Sequence, residues 1–281
     1  MNGIVIVNKP KGFTSQDVVS KVKKILNQKK AGHTGTLDPM ATGVLPVLLG
    51  NSTKLSKYLI EHDKVYVAKI KLGQKSSTGD SEGEVIEEKA VSELSLIKIE
   101  EVFRSFLGKQ KQIPPIYSAI KVNGKKLYEY ARSGEKVEIP EREIEIYSIK
   151  LLSYENEEIE FKVSASKGTY IRTLCEKIAE KLGSIGYMKE LKRTQVGGFK
   201  IENSITIEEL ENNLKECIIS IEDYFEKKDK IELENKKLQL FLNGVQLTYK
   251  LDDGVYRIYF QNKFIGLGTI KNNLLKRDII I

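Results

Sequence analysis

The 281-residue sequence predicts an α+β fold: a mixed, largely antiparallel sheet with helices interspersed, followed by a small β-rich C-terminal unit. Three observations carry that expectation. Strand-like and helix-like segments alternate without the regular βαβ spacing of a parallel sheet. The stretch 224–237 is dense in Glu and Lys and poor in apolar residues, the composition of a solvated connector. Beyond it, short strand-like runs are punctuated by Gly244, Gly254, Gly266 and Gly268. The expected organisation is a main domain over 1–230 and a small one over 231–281.

Along the chain, the apolar run 4–7 predicts a buried strand, and Ser15 is the expected N-cap of a helix. Its apolar positions Val18, Val19, Val22, Ile25 and Leu26 keep helical spacing. From 29 to 50 the periodicity breaks, and Gly32, Gly35, Asp38, Pro39, Gly43 and Pro46 predict an irregular, rather apolar loop. Strand patterns follow at 65–72 and 84–88, then a helix over 95–106 stopped by Gly108, and a hairpin turning at Asn123-Gly124. Strand character returns at 136–152 and 159–165. A helix then places Ile171, Leu174, Cys175, Ile178, Ala179 and Leu182 on one face before Gly183 ends it. Thr206 and Glu209 form the capping-box start of a further short helix, and the C-terminal unit has strand-like runs at 255–260 and 264–267.

Charge and composition narrow the function. The net charge is +7 and the sequence pI about 9.0, so an anionic partner is expected. No stretch approaches the ~18 apolar residues of a membrane span, and the apolar run near the N-terminus is too short for a signal-peptide core, so a cytoplasmic protein is expected. Cys175, Cys217, His33 and His62 are the whole stock of soft ligands, and none are spaced like a zinc site; no metal is expected. Phosphate-loop, dinucleotide-binding and nucleophile-elbow glycine motifs are missing, which argues against nucleotide hydrolysis, dinucleotide redox chemistry and hydrolase-fold esterase chemistry.

Four segments could carry chemistry. GHTGTLDPMATGVL at 32–45 confines one carboxylate, one imidazole and several hydroxyls within a glycine-shaped loop. SASKGTYIRTL at 164–174 puts Arg172 off the apolar face, within about one turn of a helix N-terminus, where the dipole disfavours a cation and a carboxylate partner would offset it. IPPIYSAIKVNGKKLYEYARSGE at 113–135 and LKRTQVGGF at 191–199 mix basic with aromatic or apolar residues, as RNA-contacting surfaces do. Each also has a plainer reading: Asp38 as a turn residue or N-cap before Pro39, His33 as a satisfied loop histidine, Arg172 as a surface arginine. Tyr66 reads as an ordinary sheet aromatic, and the lysine-rich stretches as solvated faces.

Together with NKPKGFTS at 8–15, these segments resemble the TruB family, the bacterial tRNA pseudouridine-55 synthases, over most of residues 1 to about 215. The resemblance implies a pseudouridine-synthase catalytic domain that isomerises uridine in the tRNA T-loop without a cofactor. It maps the essential aspartate onto Asp38, its arginine partner onto Arg172 and the uracil-stacking tyrosine onto Tyr66. The histidine that wedges into the opened T-loop falls on His33, and an apolar pocket residue on Leu191. Tyr170 would support Arg172, while Lys9, Lys11 and the 113–135 segment, including Lys121, would grip RNA. The C-terminal unit is similar to a short PUA module, marked by Asn243-Gly244 and the run 264–270. A monomer acting on the T-arm, with no membrane and no obligate protein partner, is implied. Two other readings stay open: a non-catalytic tRNA-binding or folding protein, and a guide-dependent RNA pseudouridine synthase.

Overall fold

The computed structural model describes residues 1–212 and 217–281. In chain order the elements are β1 (Gly3–Lys9), α1 (Ser15–Ile25), β2 (Ala31–His33), β3 (Thr42–Leu49), α2 (Ser56–Leu59), β4 (Lys64–Leu72), β5 (Gln74–Ser76) and β6 (Val85–Glu88). Next come α3 (Leu96–Arg104), β7 (Gly108–Gln112), β8 (Lys121–Val122), β9 (Lys125–Lys126), α4 (Leu127–Ser133), β10 (Arg142–Glu155), β11 (Glu158–Ala165), α5 (Ile171–Lys181), β12 (Gly186–Val196) and β13 (Phe199–Lys200). The chain ends with α6 (Ile207–Asn212), β14 (Ile218–Ile219), α7 (Ile221–Tyr224), β15 (Lys230–Glu232), α8 (Asn235–Leu242), β16 (Leu247–Thr248), β17 (Gly254–Phe260), β18 (Lys263–Lys271) and β19 (Leu274–Ile280).

Among the described residues the main sheet runs β14-β1-β3-β12-β4-β11-β10-β7, with β13 on β12 and β2 on β3. All of these pairs are antiparallel except β12 with β3. The alternation of β4, KVYVAKIKL, sends every second residue into the core, where Ala68, Ile70 and Leu72 meet Ile99 and Phe103 of α3 and Leu174 and Ile178 of α5. In β1, Val5 and Val7 pack against Val18, Val19 and Val22 of α1. Ile4 and Ile6 face the other way, joining Leu55, Ile221 and two residues of the C-terminal sheet, Leu267 and Ile279. That second sheet has the order β15-β17-β18-β19-β16. Lys57 and Tyr58 both bond to Asp278 of β19, and the Tyr259 hydroxyl donates to Glu222 at 2.7 Å, so the small sheet is joined to the main one by packing and by polar contacts. No helix among the described residues is long and apolar enough to cross a membrane.

Several local expectations shift. The segment expected to be a loop from 29 to 50 contains β2 and β3, and its longest irregular stretch is 34–41. Strand β3, TGVLPVLL, is buried on both faces and shows no period-2 alternation, while Gly43 and Pro46 imitate loop punctuation. The N-cap of α1 is Thr14 rather than Ser15, in a capping box with Asp17. The Ser15 hydroxyl is spent elsewhere, as described below. The connector expected over 224–237 is structured: Tyr224 stacks on Phe199, Phe225 meets Tyr58 edge-on, and β15 adds a charged edge strand. Other expectations stand as made. Asn123 (φ 51°) and Gly124 (φ 82°) turn the β8–β9 hairpin with both residues left-handed, and the Thr206–Glu209 capping box forms.

Candidate active site

The 34–41 loop lies between β2 and β3 and is held from three sides. The Leu37 amide donates to the Ser15 hydroxyl at 2.8 Å, and that hydroxyl donates back to the Leu37 carbonyl at 3.1 Å. The Gly12 amide donates to the Pro39 carbonyl at 2.8 Å. Lys9, fully buried, donates its Nζ to the carbonyls of Pro10, Phe13 and Pro39. This corrects its expected role as an RNA-gripping lysine: its donors are turned inward onto backbone oxygens, so it braces the loop. Burial pulls Lys9 down to about 8.

Asp38 projects from this loop towards α5. Arg172, the second residue of that helix, meets it in two places, Nε to Oδ2 at 3.2 Å and Nη2 to Oδ1 at 3.3 Å, across 134 positions of sequence. The plain reading of Arg172 as a surface residue is overturned, since it is only 5% exposed. Its other contacts explain how a cation is tolerated at a helix N-terminus: Nη1 lies 3.5 Å from Asp80, and Nη1 and Nη2 donate to the Thr78 and Tyr117 carbonyls at 3.3 and 2.8 Å. The start of α5 is fixed by Gln112, whose amide side chain accepts from the Tyr170 amide at 2.8 Å and donates to its carbonyl at 3.0 Å.

Asp38 and Arg172 open into a cleft of about 630 Å³ whose walls include His33, Tyr66, Tyr170, Leu191 and Arg193. Burial raises the Asp38 carboxyl above its ordinary range, more than Arg172 draws it down; Asp80, sharing the same arginine, adds to the rise. Burial also raises the Tyr66 phenol and lowers the His33 imidazole. At neutral pH the Tyr66 phenol and the His33 imidazole are therefore uncharged groups in a cleft wall that also carries Arg193.

The site residues expected from sequence divide into three groups. Asp38, Arg172, Tyr66, His33, Tyr170 and Leu191 come together in one cleft. Lys11 is exposed and lines an adjoining cavity of about 190 Å³ that shares Leu191 with the cleft. Lys121 is exposed on the β8–β9 hairpin, outside the cleft wall, although Tyr117, Ser118 and Tyr128 from the same segment line it. Three residues were missed: Asp80, Lys64 and Arg193. Asp80 sits in a Ser/Gly-rich turn that reads as punctuation. Lys64 and Arg193 lie within strands, and the available signal was a charged residue falling in phase with the inward face.

The family model described as "TruB family pseudouridylate synthase (N terminal domain)" matches residues 23–171, and that described as "tRNA pseudouridylate synthase B C-terminal domain" matches 172–226. The chain belongs to the TruB family. It is 47% identical over 275 residues to the tRNA pseudouridine synthase B of Clostridium tetani, covering 95% of each chain, and 47% identical over 291 residues to that of Clostridium novyi, covering 100% of each. Among solved structures it is similar to a Cbf5-Nop10-Gar1 complex, with TM-score 0.74, 28% identity, and 99% of this chain and 85% of that one covered. An H/ACA RNP bound to a substrate RNA containing 2'-deoxyuridine matches with TM-score 0.70 and 26% identity, again over 99% of this chain and 85% of that one. The fold and the activity of a TruB-family pseudouridine synthase, an isomerase, follow from this membership. The matched family regions end before β15.

Proposed function

We propose that this TruB-family enzyme isomerises uridine to pseudouridine in the tRNA T-loop, at position 55, with Asp38 acting at the glycosidic centre. The observation that carries the reading is the Asp38 carboxylate held by the Nε–Nη2 edge of the Arg172 guanidinium, through both of its oxygens, in a cleft large enough for a nucleoside. The reaction breaks the N1–C1′ bond, turns the uracil and rejoins it through C5. N1 gains a proton and C5 loses one, so nothing is oxidised. A carboxylate beside the sugar must be ionised to act as nucleophile or base; burial opposes ionisation and Arg172 restores it in part.

The target base must leave its stack, which costs a few kcal/mol. Stacking on the Tyr66 ring returns about 1–3 kcal/mol, and His33, which lines the same cleft, would fill the vacated space in the T-loop. Leu191 supplies an apolar floor that keeps water from the detached uracil. Tyr170 orients the arginine. Lys11 and Lys121 contact phosphates, and the C-terminal sheet, read as PUA-like, touches the RNA backbone away from the reacting base. The protein acts as a cytoplasmic monomer on tRNA alone. Release of tritium from C5-labelled uridine in an isolated T-arm hairpin is the test: turnover supports a guide-free tRNA enzyme, and no release beside an active control enzyme overturns it.

A further inference from the structure

Arg172 and Arg193 line the same cleft, and they are held in opposite ways. Arg172 meets two carboxylates, whereas Arg193, 1% exposed, has no carboxylate partner among the described residues. A buried cation left without an anion is costly. Its donors go instead to neutral oxygens, Nε to the Val44 carbonyl at 2.8 Å and Nη2 to the Gly35 carbonyl at 3.0 Å, and the Tyr66 phenol lies close enough to the guanidinium for each to shift the other's proton affinity. The backbone explains why these groups meet. Arg193 stands directly across the β12–β4 ladder from Tyr66 and across the β12–β3 ladder from Gly43. At Gly43 the φ is +105°, and an added Cβ would come within 2.1 Å of the Arg193 carbonyl oxygen. Three strands are thus drawn together at this residue.

We infer that Arg193 is a positioning residue for the isomerisation: it fixes the Tyr66 phenol and, through Gly35, the Asp38 loop at a set separation, so that the ring and the carboxylate address the two sides of one nucleoside. This rests on the reading of Asp38 and Tyr66 given above.

The test uses the full chain with Arg193→Met, which keeps the side-chain bulk but removes the donors, and Arg193→Lys, which keeps the charge without the fork. Thermal unfolding reports whether each variant folds. In a folded Arg193→Met protein the single-turnover rate should fall ~100-fold, as expected when reacting groups lose alignment. RNA affinity should stay within about 3-fold, since phosphate contacts supply most of it. Arg193→Lys should recover part of the rate. The 13Cζ resonance of Tyr66, assigned by its disappearance in Tyr66→Phe, should shift in Arg193→Met and titrate at higher pH than in the parent. In a Tyr66→Phe background, Arg193→Met should cost little further rate, because groups acting as a unit are not additive. An unmoved Tyr66 resonance, or an undiminished rate loss in the Tyr66→Phe background, overturns the inference. The resonance result is independent of whether the parent enzyme uses the T-arm, whereas a parent without turnover on that RNA would count against the proposed function and not against the Arg193–Tyr66 coupling.

Discussion

The 34–41 loop and the 113–135 segment face the same cleft and are built on opposite plans. In the first, hydroxyls, amides and a buried ammonium are spent on backbone partners, so the carboxylate of Asp38 has one place to be. In the second, Lys121 is exposed, Lys125 lies over the Tyr130 ring at 4.6 Å, and Lys126 and Arg132 lie over Tyr128 at 5.3 and 5.5 Å. These cation–ring contacts at the surface are individually weak and can be exchanged for phosphates and bases. Chemistry needs fixed atoms, and gripping a folded RNA needs groups that can adapt. The difference predicts that changes in the loop alter turnover while changes in the segment alter affinity.

The largest effect should come from Asp38→Asn. Tritium release should drop below detection while RNA binding, measured by filter retention, stays within a few-fold. Its stability carries a definite sign. A carboxyl whose folded pKa is raised favours folding at low pH and loses that contribution as the pH rises through the folded value. The ionised Asp38 is therefore a cost at neutral pH, and Asp38→Asn should melt at or above the parent temperature there, with the gap closing on acidification. A lower melting temperature at neutral pH would mean that the carboxylate holds the loop together.

Lys9→Met comes next. It leaves the Pro10 and Phe13 carbonyls without their donor, at about 1–3 kcal/mol for each left unsatisfied, while Pro39 keeps the Gly12 amide, so both the melting temperature and the turnover should fall, with RNA affinity little changed. Loss of affinity alone would return Lys9 to the RNA-contacting class. A smaller effect lies in the pH profile. Turnover should decline on acidification with a midpoint above the ordinary carboxylate value of about 4, and Asp80→Asn should move that midpoint down, because Asp80 raises its neighbour. Smallest of all, Lys121→Ala should weaken binding a few-fold, flatten the salt dependence by about one unit and leave single-turnover rates intact.

Much of this was legible in the sequence where local pattern and packing agree. The amphipathic helices α3 and α5, the Asn123-Gly124 turn and the alternating strand β4 all follow from periodicity and turn chemistry. Strand β3 was not legible, because burial on both faces erases alternation. The aromatic contacts of Tyr224 and Phe225 were hidden within a charged stretch. At the site, the glycine-shaped loop announced Asp38, but only the fold brings Arg172 to it. Resemblance to a family could map Lys9 to RNA, yet burial decides that it serves the loop. Arg193 and Asp80 were missed because a buried charge has no local mark; its partners come from strands and turns far away in the chain.

The central claim is that the cleft receives an extruded nucleoside with Asp38 at its glycosidic centre, and it is tested most directly by a structure of the enzyme with a T-arm RNA carrying 5-fluorouridine at the target position. The account predicts the fluorinated ring stacked on Tyr66 inside the cleft, with the Asp38 carboxylate against the ribose or base and Arg172 still bound to it. A fluorouridine left stacked in the RNA, or lodged outside the cleft with Asp38 out of reach, would contradict it.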